Sequence, residues 1–118
     1  MYDTARIRQL GCPEGTLVAG CSQVGEADSV VYYDLPQYRP FWAIVQQLDV
    51  PFYLHPRALL AKRERVFNGH PWLLGGPWGF SVAASNHALR LMGSGLFDEY
   101  PKLKVILGHL GEGLAFQI

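Results

Sequence analysis

Three short apolar runs, separated by longer mixed segments, constrain the fold of this 118-residue chain more than any other feature. They occupy residues 16–21, 52–54 and 104–107, and each is too short to form a helix with a buried face. Helical periodicity lies between the first and second runs and again before the third. Strands that alternate with helices pair in parallel and carry the helices on the sheet. The sequence therefore predicts an α/β fold.

Two amphipathic helices are expected between these strands. The first follows the proline-containing segment 34–40, which suits a helix start, and it ends at 49–51. The second breaks near Gly93 or Gly95 and resumes as a short turn before Pro101, and a further helix is predicted from Glu112 to Ile118. The apolar stripes are Phe41, Trp42, Ile44, Val45 and Leu48 in the first helix, and Val82, Ala84, Ala88, Leu91 and Met92 in the second.

Composition narrows the function classes. A hydrophobic content of 49% with 17% charged residues indicates a packed interior. Ten basic and ten acidic residues cancel without a basic run, which disfavours a nucleic-acid partner. Cys12 and Cys21 match neither a redox pair nor a zinc framework, so we expect reduced thiols. With no secretion signal and no apolar run long enough to span a bilayer, we predict a soluble, cytoplasmic protein with no membrane partner.

Histidines follow two of the predicted strands. His55 comes directly after the second strand, and His109 follows the third after a single glycine. Side chains at the carboxyl ends of parallel barrel strands meet at one mouth, so neighbouring strands would bring both imidazoles together. They are either metal ligands or hydrogen-bonded structural residues. Glu112 lies near a predicted helix start, either contacting His109 or serving only as an acid favoured by the helix dipole.

The remaining motifs are less specific. Residues 57–80 lose periodicity and gather proline, glycine and tryptophan, which is typical of an active-site lid or wall and equally of a surface loop with aromatic anchors. We expect His87 to be a packing or helix-surface residue, and neither it nor His70 to bind metal. Ser22 lacks a nucleophile elbow, and the chain has no phosphate or dinucleotide fingerprint.

Several blocks of the chain resemble the γ-resorcylate and 2,3-dihydroxybenzoate decarboxylases of the amidohydrolase superfamily. The resemblance runs from about Gly15 to the C-terminus. It implies a partial (β/α)8 barrel of about three central strand-helix units over residues 1–118, with 1–15 as a loose segment. A complete barrel needs roughly 250 residues. The blocks are Tyr32-Tyr-Asp-Leu-Pro-Gln-Tyr-Arg-Pro-Phe-Trp42, Leu48-Asp-Val-Pro-Phe-Tyr-Leu-His-Pro-Arg57, Gly69-His-Pro-Trp-Leu-Leu-Gly75, His87-Ala-Leu-Arg-Leu-Met92 and the stretch from Ser94 to Gly113.

The resemblance implies non-oxidative decarboxylation of a hydroxybenzoate, a small aromatic carboxylic acid. His55 corresponds to a ligand of a divalent metal ion, which would be zinc, manganese or magnesium. His109 and Glu112 correspond to catalytic residues that tune the acid protonating the ring. The metal would hold the substrate carboxylate and the adjacent hydroxyl. The full-length form would be a homo-oligomer by the same analogy.

The chain also departs from the family pattern. The family's early Glu-x-His and late Asp belong to parts of the family sequence outside this chain; within the chain, residues 81–86 lack a Gln-Glu pair. Ala19 and Cys21 occupy substrate-binding positions at which the family has Asn and Phe. These differences indicate either a changed substrate or relaxed selection.

Two alternatives to the decarboxylase stay open. A metal-dependent hydrolase of the same superfamily would use metal-bound water as the nucleophile. A truncated, inactive fragment would instead leave open sheet edges that pair with another chain.

Overall fold

The computed structural model describes residues 32–56, 64–111, 113–116 and 118, together with the backbone of 17–20. The described strands form one parallel sheet in the order β1, β2, β3, with helices in the connections. This arrangement confirms the predicted α/β fold. The strands are β1 Leu17–Gly20, β2 Phe52–His55 and β3 Val105–Leu107; the helices are α1 Arg39–Gln47, α2 Gly79–Gly93 and α3 Leu96–Glu99.

The strands are in register up to their carboxyl ends. Gly20 is level with His55, and Leu54 is level with Leu107. The Gly108 N–H extends the second ladder by donating to the Leu54 carbonyl at 3.4 Å. The carboxyl ends of all three strands therefore lie at the same level, and we call this side of the sheet its carboxyl edge.

One face of the sheet packs against the helices. Phe52 and Leu54 are 0% exposed, whereas Tyr53 is half-buried and His55 is exposed on the alternate face. On β3, Ile106 is likewise exposed while its two neighbours contact the core. The core consists of Trp42, Val45, Phe52, Leu54, Ala84, Ala88, Leu91, Leu96, Leu103 and Leu114.

The helix boundaries follow the sequence closely. A short 3-10 turn at Pro36–Tyr38 leads into α1, with Pro40 in the first turn of the helix. Helix α2 ends at Gly93, and Gly95 has the left-handed φ of 74° that precedes α3, as predicted. Among the described residues, no helix combines the length and apolar character that crossing a membrane requires.

Three details of the predicted helices are wrong. Leu48 and Met92, assigned to apolar stripes, are 43% and 47% exposed; Leu48 caps the C-terminal end of α1, and Met92 lies in the last turn of α2. The described residues of the predicted last helix form only a 3-10 turn, Leu114–Phe116. Gly111 and Gly113 have positive φ values, and left-handed residues interrupt an α-helix. Gln117 and the first fifteen residues lie outside the described part of the chain.

His87 is the buried polar residue that joins α2 to the segment before α1. The Tyr33 N–H donates to His87 Nε2 at 2.9 Å, and the Tyr33 ring stacks on the imidazole. Burial lowers the pKa of His87 to about 4; Asp34 opposes this shift and Arg90 adds to it. An acceptor nitrogen carries no proton, so the fold requires neutral His87. Its expected role as a packing residue agrees with this environment.

We predict that His87 makes stability depend on pH. The unfolded chain binds a proton at His87 near pH 6.5, while the folded chain resists it until about pH 4. Unfolding free energy is therefore highest above pH 6.5 and falls by about 3 kcal/mol as the pH drops to 4. His87→Gln keeps an acceptor and cannot titrate, so its urea unfolding free energy should fall less over this window. Equal losses in parent and variant would contradict the prediction.

Candidate active site

The structure brings His55 and His109 together at the carboxyl edge of the sheet. His55 is the last residue of β2, and His109 follows β3 after Gly108. Their ring centroids are 5.5 Å apart with an interplanar angle of 75°. Both side chains are exposed, and both are therefore accessible to a ligand. The in-register strands produce this pairing, because His55 is the last ladder residue of β2 and His109 directly follows Gly108, which continues the ladder beyond β3.

The imidazole of His55 is oriented by its own chain. Its Nδ1 lies 2.7 Å from the Pro56 carbonyl oxygen, and the Tyr53 ring stacks on it at 5.8 Å. A carbonyl oxygen only accepts, so Nδ1 carries the proton in this contact and Nε2 bears the lone pair. Metal-binding histidines are oriented in the same way, with the second ring nitrogen donating to a carbonyl or carboxylate. The donor chemistry of His55 thus fits a metal ligand.

His109 lies in a left-handed turn. Its φ is 42°, and Leu110 and Gly111 follow with φ values of 60° and 84°. The Gly111 N–H closes the turn by donating to the Gly108 carbonyl at 2.8 Å. Residues with side chains rarely adopt this region, and such strained backbone clusters at functional sites.

Phe80 is a neighbour of the site to which the sequence pattern assigned no role. It lies in the first turn of α2, and its ring stacks on His109 with centroids 6.2 Å apart and an interplanar angle of 22°. In the sequence, Phe80 is the last residue of the aperiodic segment 57–80. The sequence feature that could have identified Phe80 is its position as an aromatic residue directly after Gly-Gly-Pro-Trp-Gly.

The structure describes only part of the remaining predicted site residues. Ala19 lies in β1, where its backbone pairs with Leu54. Cys21 and Glu112 lie outside the described residues. Within the described part of the chain, no three His, Cys, Asp or Glu side chains are close enough to hold a metal ion. His55 would therefore need further ligands from elsewhere.

The loop between β2 and α2 is irregular, as predicted, over the part that the structure describes. It contains two 3-10 turns, Glu64–Phe67 and Pro71–Leu73. His70 is exposed and packs edge-on against Trp72, which is itself 66% exposed. Its function as a lid, a wall or a surface loop stays a prediction.

Comparison with known proteins assigns the family. A family model described as Amidohydrolase matches residues 8–117, and the chain therefore belongs to the amidohydrolase family. It is 60% identical over 104 residues to a γ-resorcylate decarboxylase from Rhizobium, a match that covers 88% of this chain and 32% of that enzyme. The chain thus spans about a third of the length of this relative.

Solved structures agree with this assignment. A 2,6-dihydroxybenzoate decarboxylase in complex with 2,6-dihydroxybenzoate superimposes with a TM-score of 0.79 at 58% identity, covering 86% of this chain and 31% of that one. A dihydroxybenzoic acid decarboxylase from Polaromonas, with bound manganese and the inhibitor 2-nitroresorcinol, gives 0.74 at 60% identity, covering 76% and 27%. The parallel strand-helix units are accordingly part of the (β/α)8 barrel of this family.

We predict that neutral His55 carries its proton on Nδ1. The Pro56 carbonyl favours that tautomer, and it leaves Nε2 available to a metal ion. Long-range proton–nitrogen NMR correlations report the tautomer directly, and exposed His70 provides an internal comparison. Predominance of the Nε2–H form at His55 would show that the carbonyl contact does not control the ring.

Proposed function

We propose that this chain forms part of a metal-dependent carboxy-lyase that removes carbon dioxide from a dihydroxybenzoate without oxidation. The observation that carries the proposal is the pairing of His55 with His109 at the ends of neighbouring parallel strands. It is supported by 60% identity to a γ-resorcylate decarboxylase over 104 residues. A cytoplasmic location and a homo-oligomeric full-length form stay predictions.

His55 would hold the divalent ion through Nε2. Manganese is the favoured metal because the related Polaromonas structure contains it; zinc and magnesium are the alternatives. When bound, the ion would supply positive charge to the carboxylate and adjacent hydroxyl of the substrate. The Pro56 carbonyl and the Tyr53 ring support this role, because the contact of Nδ1 with the carbonyl leaves Nε2 available to a metal ion.

His109 would take part in the proton transfer that the reaction needs. Decarboxylation proceeds when the ring carbon bearing the carboxylate gains a proton, because the carbon–carbon bond electrons then restore the aromatic ring. An imidazole both donates and accepts protons, and His109 lies on the same edge as His55. On the basis of the resemblance, we assign Glu112, with His109, to tuning the acid that protonates the ring, and Ala19 and Cys21 to substrate-binding positions.

A chimera tests the activity of these residues within a complete barrel. This chain would replace the matched third of the Rhizobium enzyme, which the 60% identity makes feasible. We expect manganese-dependent release of carbon dioxide from 2,6-dihydroxybenzoate. His109→Ala should reduce kcat by roughly 100-fold or more, the usual effect of losing a general acid or base. His70→Ala, at an exposed loop histidine, serves as the matched control.

The outcomes separate the alternative functions. Carbon dioxide release that survives His109→Ala would refute the role of His109. Hydrolysis of a lactone or amide without decarboxylation would favour the hydrolase, which the Amidohydrolase family match supports as second candidate. We expect the 118-residue chain alone to release no carbon dioxide, because its described residues contain no three-ligand metal group.

Binding of the metal can be tested without turnover. Paramagnetic Mn²⁺ broadens the NMR signals of the groups nearest to it. In the chimera, we expect the ring signals of His55 to broaden at lower Mn²⁺ concentrations than those of His70. Simultaneous broadening of both histidines would count against His55 as a ligand.

A further inference from the structure

The first turn of α2 packs against the turn that contains His109. The Phe80 ring stacks on His109, and the Gly113 Cα faces Ser81, whose Oγ would be 3.9 Å from a Cβ added there. Phe80 thus contacts the segment that follows β3, and the next residue of the helix, Ser81, lies near Gly113. The contact is independent of the strand ladder that brings His55 to the same place.

The glycine turn that precedes α2 also contacts Phe80. Its N–H donates to the Gly75 carbonyl at 2.9 Å, and a Cβ built on Gly75 would lie 3.7 Å from Phe80 Cζ. The φ of Gly75 is 68°, a conformation that favours glycine. Gly79 is buried, with its Cβ position 3.4 Å from the Leu73 carbonyl oxygen. The glycine turn and the helix therefore form one unit that limits the movement of the Phe80 ring.

Two aromatic contacts favour one orientation of the His109 ring. The left-handed backbone determines where the side chain leaves the chain, but the imidazole can still rotate about its side-chain bonds. Phe80 presents a nearly parallel face at 22°, while His55 meets the ring edge-on at 75°. Aromatic rings favour offset-stacked and edge-to-face contacts of this type. Both neighbours therefore favour the observed plane of the His109 ring.

We propose that Phe80 is a positioning residue for His109. Supported by Gly75, it stacks on the imidazole and keeps its plane aligned beside His55. The effect on turnover rests on the proposed function, whereas the ring contact does not.

NMR spectroscopy of the 118-residue chain with labelled His and Phe tests the contact. We expect nuclear Overhauser effects between the Phe80 and His109 rings, with the His109 signals assigned through His109→Gln. Phe80→Leu should remove the ring-current shift of His109, and Phe80→Tyr should retain it. Phe116→Leu makes the same change at a side chain that is 95% exposed, and should leave His109 unaffected. Absence of the ring-to-ring effects in the parent chain overturns the proposal even if Phe80→Leu fails to fold.

Kinetics of the chimera test the consequence for turnover. We expect Phe80→Leu to lower kcat roughly tenfold to 100-fold with little change in KM, because misplacing a catalytic group costs rate. Phe80→Tyr keeps an aromatic ring at this position and should retain most of the parent kcat. Unchanged kcat in a folded Phe80→Leu variant would overturn the positioning role. An inactive parent chimera would count against the proposed function instead, and the NMR result would then decide on Phe80.

Discussion

The site depends on the parallel register of the three strands. Backbone hydrogen bonds align Gly20 with His55 and Leu54 with Leu107, and Gly108 continues the ladder. Because the strands end at the same level, the residues that follow them are neighbours in space although they are far apart in sequence. The strand register thereby brings a metal-ligand candidate and a proton-transfer candidate into ring contact.

Packing against the helices maintains this register. Phe52 and Leu54 are fully buried against the core, whereas His55 is exposed on the opposite face. A slip of one residue would turn His55 toward the core and Phe52 toward solvent. Burying an unpaired polar side chain costs about 1–3 kcal/mol, and exposing a large apolar one costs a similar amount. The hydrophobic pattern of β2 therefore determines which face the site occupies.

The sequence could predict those site residues whose positions the apolar pattern of the strands determines. The sequence located His55 and His109 because each follows an apolar run, and parallel pairing then made them neighbours. Phe80 could not be found in this way, since its contact with His109 requires the glycine turn at 75–79 to fold back onto α2. Met92 was misassigned because helical periodicity shows which residues share a face but not how far along the helix that face stays covered. The roles of Glu112 and Cys21 rest on resemblance.

The backbone conformation at His109 makes the site depend on the β2–α2 connection as well as on the sheet. A left-handed residue with a side chain costs about 1–3 kcal/mol and persists only where its surroundings enforce it. The Gly111 hydrogen bond contributes about 1 kcal/mol, and the ring contact with Phe80 about 0.5–1.5 kcal/mol. These magnitudes are comparable, so each contact offsets part of the cost of the backbone conformation. The strands therefore bring His109 to the site, while the glycine turn and the start of α2 help to maintain its conformation there.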